Sequence, residues 1–177
     1  MPIQFIQSSG NIISEEFCRM LASETRADYV KDASFDIRRV DEHIAVSFDL
    51  LRERWEEIRL LVVEEKFDKS QLRDKWLRPL FEYLDYKPFY LKSYLRSEAG
   101  GEFNFSHQGW EDETAPVIHM VALSQDLDSK DISNRSHSKK SPHETVQQFL
   151  NTTGHRWAIL SNGKKIRLLR DFFHSTT

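Results

Sequence analysis

The segment from Ser141 to Asp171 constrains the fold more than any other, because each of its elements has a local physical cause. Ser141 is suited to an N-cap, with Pro142 at the first helical position and Glu144 completing a capping box. Apolar residues at helical spacing then give this helix one buried face: Val146, Phe149 and Leu150. The sequence therefore predicts a well-defined helix start at Ser141.

A hairpin is predicted to follow this helix. Gly154 is expected to end the helix in the left-handed conformation that glycine tolerates. Two strands are predicted, from Arg156 to Ser161 and from Lys164 to Arg170. Asn162-Gly163 between them is the pair that best tolerates positive φ at both centres of a type I′ turn.

Helices are predicted to dominate the first half of the chain. They run from Glu15 to about Thr25, from Asp41 to about Lys66, and from Asp68 or Ser70 to about Tyr86. The second helix carries a single apolar stripe, which consists of Leu51, Trp55, Ile58 and Val62. Pro79 should kink the third helix because it removes a backbone donor.

A small sheet is predicted in the second half. Phe89 to Leu95 alternates as a strand does, Gly100-Gly101 marks a turn, and Glu102 to Ser106 is a partner strand. Val117 to Leu123 is almost wholly apolar, which indicates a strand at the centre of the sheet. The polar residues 124–140 are expected to form a mobile loop.

These elements indicate an α+β fold in one domain that spans residues 1–177. Residues 1–13 are expected to be a loose arm, 14–86 a mainly helical part, and 87–171 the small mixed sheet with its flanking helix. A single cysteine, Cys18, excludes an intramolecular disulfide and favours a reduced, cytoplasmic setting. No stretch has the apolar length that a membrane helix requires.

Charge is unevenly distributed along the chain. Residues 1–129 hold 16 Lys and Arg against 25 Asp and Glu, whereas residues 130–177 hold 9 against 3. Such a split indicates a localised basic surface on an otherwise acidic body.

Four stretches together resemble a known family. The segment SPHETVQQFLNTTGHRWAILSNGKKIRLLRD is similar to the N-terminal region of bacterial type IIG-like restriction–modification methyltransferases, including those of phage-defence systems. LRERWEEI, LRDKWLRPLFEYLDY and VIHMVALSQDLD fit the same region in the same order, so the resemblance covers roughly residues 50 to 171. The Trp strand followed by Asn-Gly also resembles the N-terminal domain of type I restriction subunits. The resemblance implies a restriction-endonuclease-like, PD-(D/E)XK fold and a parent DNA adenine methyltransferase that uses S-adenosylmethionine.

No catalytic residue is predicted in this chain. Methyl transfer to adenine needs a Gly-rich loop after a strand and an Asn/Asp-Pro-Pro-Tyr/Phe motif, and the sequence contains neither. A PD-(D/E)XK nuclease needs carboxylates and a lysine around its central strands, but Val117 to Leu123 contains neither type of residue. We therefore expect a degenerate nuclease-like core that has no metal site and no cofactor of its own. An endonuclease with a relocated site, built from Glu111, Asp112, Glu113 or Asp126, is the alternative, and it would need Mg²⁺.

DNA is the partner that the sequence favours. Basic side chains in the polar loop and the hairpin are expected to contact phosphates: Lys130, Arg135, Lys139, Lys140, Lys164, Lys165, Arg167 and Arg170. The chain is thus interpreted as a non-catalytic module that binds DNA or positions a methyltransferase domain or subunit. A protein–protein docking module, which would use the apolar stripe Leu51 to Val62, is a second alternative. The sequence assigns no role to His107 or His119.

Overall fold

The structure is a computed structural model that describes Gln7 and residues 14–21, 37–64, 66–112, 114–130 and 140–171. The chain divides into two compact units, Met1–Asp49 and Leu50–Thr177, which are treated separately below. No helix in the described ranges is both long enough and apolar enough to cross a membrane.

The first unit contains helix α1, Glu15–Leu21, and the beginning of helix α2, Ile37–Val63. Ser14 caps α1, since its Oγ accepts a hydrogen bond from the Phe17 amide at 3.0 Å. Helix α2 begins four residues before the predicted start at Asp41. The predicted arm, apart from Gln7, and the predicted end of α1 after Leu21 lie outside the described residues.

The second unit holds the rest of α2 and all the strands. Its further elements are α3 (Lys69–Leu72), a π-helical turn (Arg73–Leu77), α4 (Arg78–Tyr83), β1 (Phe89–Tyr90), β2 (Leu95–Arg96), β3 (Glu102–Phe103), β4 (His107–Gln108), β5 (Val117–Met120), α5 (Pro142–Thr152), β6 (Trp157–Ser161) and β7 (Ile166–Arg170). Five strands form one sheet in the order β1-β4-β5-β6-β7, and β2 pairs with β3 in a separate sheet. Among the strands in the described ranges, β5 and β6 are the one parallel pair, with α5 as the crossover between them. The predicted α+β fold with a small mixed sheet is confirmed.

Helices cover both faces of the five-stranded sheet. On one face, α5 packs against Val117 and Ala158 through its buried Phe149. On the other face, Ile118 and Ile159 pack against α3, the π-helical turn, α4 and the C-terminal part of α2. Neighbouring residues along β5 and β6 therefore enter opposite cores, which is why both strands are mostly apolar.

The apolar stripe of α2 is used inside this unit. Ile58 and Val62 are buried, and Trp55 lies against Trp76 with 5.4 Å between the ring centroids. The stripe thus contributes to the core beside the sheet, and Ile58 and Val62 are not exposed for docking to another subunit.

The predicted strands between residues 89 and 106 are wrong in their extent. The expected strand from Phe89 to Leu95 is divided between β1 and β2, which belong to different sheets. Its expected partner, Glu102 to Ser106, forms a strand only at β3, and β4 begins directly after it. The chain leaves the main sheet after Leu91, whose amide donates to the Ser106 carbonyl at 2.9 Å. Alternation of side chains cannot reveal this change of partner, because both short strands continue the same period of two.

The helix predicted from Asp68 to Tyr86 is interrupted by the π-helical turn. Pro79 has no amide to donate to the Lys75 carbonyl, and that carbonyl instead accepts a hydrogen bond from Arg54 Nη1 at 3.3 Å. Just before the proline, the Arg78 amide donates to the Arg73 carbonyl, five residues back. Pro79 was predicted to kink this helix, and the structure has a widened turn directly before it.

Helix α5 begins as predicted but ends differently. The Ser141 Oγ accepts from the Glu144 amide at 3.1 Å, and the Glu144 carboxylate accepts from the Ser141 amide at 2.7 Å, so the capping box is confirmed. Gly154 does not adopt positive φ, and the expectation of a left-handed stop there is wrong. The hydroxyls of Thr152 and Thr153 donate to the Gln148 and Phe149 carbonyls, each at 2.8 Å, in the last turn of the helix.

The hairpin of β6 and β7 is confirmed, with a corrected turn. Ser161 pairs with Ile166, and the Asn162 amide donates to the Lys165 carbonyl at 3.4 Å. The central pair is therefore Gly163-Lys164, shifted by one residue from the predicted Asn162-Gly163. Only Gly163 of these residues has positive φ, at 84°, which excludes type I′ and agrees with glycine at the first centre of a type II′ turn.

Candidate nucleic-acid interface

Three segments meet where the parallel strands β5 and β6 end. The Asn162 side chain in the β6–β7 turn donates to the Gln125 carbonyl at 2.8 Å. The His143 amide at the start of α5 donates to the Leu127 carbonyl at 2.9 Å. Residues 124–130, the start of α5 and the hairpin turn consequently form one surface, which we call the basic edge. The carboxyl ends of strands are a common place for ligands in sheets that contain parallel strands.

The backbone of the turn is held firmly within this surface. Asn162 Oδ1 accepts from the Lys164 and Lys165 amides at 3.1 and 2.9 Å. The Ser161 hydroxyl donates to the Lys165 carbonyl at 2.8 Å, and Trp76 Nε1 donates to the Gly163 carbonyl at 3.1 Å. The exposed side chains of Lys164 and Lys165 therefore extend from a fixed backbone.

Lys130 and Lys140 flank the N-terminus of α5. The pKa of Glu144 is lowered, chiefly by the hydrogen bond from the Ser141 amide, and the charges of Lys130 and Lys140 contribute to the same shift. Lys140 Nζ also contacts Gln148 Oε1. Both lysines thus lie close to Glu144, on the side of the basic edge that α5 forms.

Arg167 is already paired within the basic edge. Its Nη1 and Nη2 donate to the two carboxylate oxygens of Asp128 at 2.6 and 2.9 Å, which raises the pKa of Arg167 and lowers that of Asp128. His143 Nδ1 lies 2.9 Å from Nη1, and it must be the acceptor because guanidinium has only donors. Burial first, and then the charge of Arg167, lowers the pKa of His143. Arg167 therefore ties β7 to the 124–130 segment.

Carboxylates reduce the positive charge of this surface. Asp126 Oδ1 accepts from the Asp128 and Ser129 amides at 2.9 and 3.0 Å, and the charge of Lys165 helps to lower the pKa of Asp126. Five basic side chains thus lie among three acidic ones, which are Asp126, Asp128 and Glu144. The basic edge therefore keeps a small net positive charge.

One predicted DNA-binding residue, Arg170, is not brought to this surface. Arg170 is at the opposite end of β7, where it pairs with Trp157 and its guanidinium carbon lies 5.6 Å from the centroid of that ring. Arg135 and Lys139 lie outside the described residues.

Two of the acidic residues named for a relocated nuclease site, Asp112 and Asp126, have local roles. Asp112 Oδ1 accepts from the Thr114 amide and hydroxyl at 2.7 and 2.6 Å, as Asp126 does from its own loop. Glu111 is exposed, and Glu113 lies outside the described residues. Among the side chains that the structure describes, no group of three or more His, Cys, Asp and Glu is arranged to hold a metal ion.

Two histidines in the sheet have depressed pKa values. His119 on β5 is half-buried, with its ring centroid 5.0 Å from that of Phe105. Burial, and to a lesser extent the charge of Lys69, lowers the pKa of His119 to about 4. His107 on β4 is buried, and its pKa is also lowered to about 4, by burial first and then by Arg73 and Arg78. Both imidazoles are neutral near neutral pH.

Sequence reasoning missed the residues that organise the basic edge, namely Asp128 and His143. The spacing of two aspartates in a Ser-rich loop gives no indication that one will pair with an arginine 39 residues later. Comparison with known proteins adds no further residue, since no protein-family model, curated protein or solved structure matches this chain.

Proposed function

We propose that this chain is a non-catalytic DNA-binding or positioning module of a restriction–modification or phage-defence DNA methyltransferase. The observation that carries the proposal is the convergence of Lys130, Lys140, Lys164 and Lys165 on the basic edge. Their side chains are exposed, so they can approach a phosphate backbone without first being uncovered.

The expected interaction is electrostatic and independent of DNA sequence. Lysine ammonium groups act as point charges that neutralise phosphates and release counterions. Arg167, bound to Asp128 by two hydrogen bonds, supports the surface rather than contacting DNA. The nearby carboxylates limit the affinity, which suits a module that assists a larger enzyme.

The nuclease-like fold and the methyltransferase partner belong to the proposal as well. They are supported by the sequence resemblance over roughly residues 50 to 171 and by a mixed sheet with helices on both faces. In this proposal the methyltransferase domain or subunit supplies S-adenosylmethionine and the chemistry, and this chain supplies the attachment to DNA. The docking alternative is weaker, because Ile58 and Val62 of its apolar stripe are buried in the core.

Fluorescence anisotropy with a labelled DNA duplex tests the proposal. Replacement of Lys130, Lys140, Lys164 and Lys165 by Ala should weaken binding at least tenfold, since four phosphates are no longer neutralised. A matched variant removes four exposed lysines outside the basic edge: Lys66, Lys75, Lys87 and Lys92. This control variant has the same net charge as the first variant and should bind the duplex nearly as tightly as the parent protein does. Equal weakening in both variants would show that net charge, not the basic edge, determines binding.

A further inference from the structure

A second basic site lies beside the edge strand β1, apart from the four lysines of the basic edge. It is a pocket of about 400 Å³ between the π-helical turn and strands β1 and β4. Its lining consists of Arg73, Asp74, Arg78, Pro88, Tyr90 and His107. This volume is within the range of small-molecule sites, which is roughly 300–1,000 Å³.

The π-helical turn brings two arginines to this pocket. Arg73 and Arg78 are five residues apart, and in a regular α-helix of about 3.6 residues per turn they would point in different directions. Here the Arg78 amide donates to the Arg73 carbonyl, so one widened turn separates them and both side chains line the same cavity. Widened turns of this kind are frequent at functional sites.

Both guanidinium groups retain donors for a ligand. Arg73 Nε and Nη2 donate to the two oxygens of Asp74 at 2.8 and 3.0 Å, which orients the group and leaves three of its five N–H bonds. Arg78 Nη2 lies 3.6 Å from Glu82 Oε1, longer than a hydrogen bond. Two guanidinium groups and one carboxylate, that of Asp74, thus line the pocket, and Glu82 lies outside the lining as the ion-pair partner of Arg78.

The rest of the pocket suits a flat, partly apolar group. Tyr90 is 57% exposed, whereas His107 behind it is only 4% exposed, and the two rings meet edge to face at 5.6 Å. His107 Nδ1 lies 2.8 Å from Ser106 Oγ, and the neutral ring adds no charge near neutral pH. An exposed tyrosine held in this way is a surface on which a base can stack.

We propose that this pocket binds a nucleoside monophosphate, with its phosphate between Arg73 and Arg78 and its base against Tyr90. Planar guanidinium groups match phosphate oxygens in pairs, which a lysine cannot do. The ligand is either a free nucleotide or the terminal nucleotide of a single strand, because both present the same chemistry. The inference goes beyond the proposed function, since it requires no contact of the basic edge with duplex DNA.

Isothermal titration of the full chain with 2′-deoxyadenosine 5′-monophosphate tests this assignment. Deoxyadenosine should bind at least tenfold more weakly, because it lacks the charged phosphate. Inorganic phosphate should also bind more weakly, because it cannot stack on Tyr90. A 5′-phosphorylated single-stranded oligonucleotide that binds tighter than the mononucleotide would identify nucleic acid as the source, and equal binding would identify the free nucleotide. Undetectable mononucleotide binding, or equal binding of deoxyadenosine or inorganic phosphate, would overturn the proposal.

The three residues changed in the next variants are exposed, so their substitution should preserve the fold. Arg78→Ala should weaken mononucleotide binding about tenfold or more, and Arg78→Lys should restore only part of it. Asp74→Asn removes a negative charge from the lining and should tighten binding about twofold to fivefold. Tyr90→Phe should bind like the parent, whereas Tyr90→Ala should bind several-fold more weakly. Unchanged affinity in both Arg78→Ala and Tyr90→Ala, with unchanged circular dichroism, would contradict the assignment.

One control distinguishes binding at this pocket from binding at the basic edge. The Lys130, Lys140, Lys164 and Lys165 variant should bind the mononucleotide as the parent does. Loss of duplex binding with retained mononucleotide binding supports both proposals, whereas duplex binding without mononucleotide binding overturns only this one.

Discussion

Gly163 occupies the point at which the β6–β7 turn approaches α3 most closely. A Cβ atom there would lie 2.7 Å from Leu72 Cδ1, and the residue also has φ of +84°. Two costs therefore combine at this position, backbone strain and overpacking.

Gly163→Ala should lower the free energy of unfolding by roughly 2–4 kcal/mol, as the sum of these two costs. Gly100→Ala isolates the first cost, because Gly100 has φ of +81° with no heavy atom within 4 Å of the added Cβ. That variant should lose only about 1 kcal/mol. Urea denaturation compares the two, and equal losses would show that Leu72 moves aside without cost.

The depressed pKa of His119 predicts a specific pH dependence of stability. The unfolded chain takes up a proton near pH 6.5, whereas the folded chain does so only near pH 4. The contribution of His119 to the free energy of unfolding is therefore fully present above pH 6.5 and is lost as the pH falls to 4. The loss is at most about 1.4 kcal/mol per pH unit for each such histidine.

Replacement of His119 by Gln should flatten this part of the stability curve, while His107 maintains the remaining slope. Chemical denaturation at several pH values between 4 and 7.5 provides the measurement. A variant whose curve runs parallel to that of the parent over this range would show that His119 is not the group that titrates.

Residue-level prediction succeeded where a side chain acts on its immediate neighbours. The Ser141–Glu144 capping box is contained within four residues, and the structure has both of its hydrogen bonds. The central pair of the turn lies one residue later than predicted. Asn162 does not adopt positive φ; its side chain instead donates to the Gln125 carbonyl and accepts from the Lys164 amide. That hydrogen bond to Gln125 spans 37 residues, and no local rule reveals it.

At the scale of elements, helix α5 links the two parallel strands and carries the buried Phe149. Its start is fixed by Ser141, which is 2% exposed. Ser141→Ala should lower the free energy of unfolding by about 1–2 kcal/mol, because the Glu144 amide loses its acceptor. Ser124→Ala, at an exposed serine, should change stability by less than about 0.5 kcal/mol. Thermal unfolding followed by circular dichroism distinguishes the two, and indistinguishable variants would refute the importance of the cap.

The elements between residues 73 and 108 were predicted least well. Pro79 indicated a kinked helix, but neither the widened turn that places Arg73 and Arg78 together nor the hydrogen bond from Arg54 to the Lys75 carbonyl could be predicted. The short strands β1 to β4 change partners over a few residues, and pairing between distant segments leaves no trace in a local period. The pocket beside β1 could therefore not be predicted from the sequence.

At the scale of the molecule, the charge split of the sequence corresponds to a surface of mixed sign. Lys130, Lys140, Lys164 and Lys165 lie on the basic edge, whereas Arg170 lies at the far end of β7. The sequence could not show that Asp128 would pair with Arg167, because that ion pair needs the crossover through α5. From these features we propose two sites for nucleic acid: the basic edge for phosphates of a duplex, and the pocket for a single nucleotide.

The salt dependence of duplex binding tests the central claim most directly. The logarithm of the association constant should fall linearly with the logarithm of the salt concentration, with a slope of about −0.9 for each phosphate that the protein neutralises. The Lys130, Lys140, Lys164 and Lys165 variant should show a flatter line, by about 0.9 for each phosphate that it no longer neutralises. The Lys66, Lys75, Lys87 and Lys92 variant should keep the slope of the parent. An unchanged slope in the first variant would contradict the assignment of DNA binding to the basic edge.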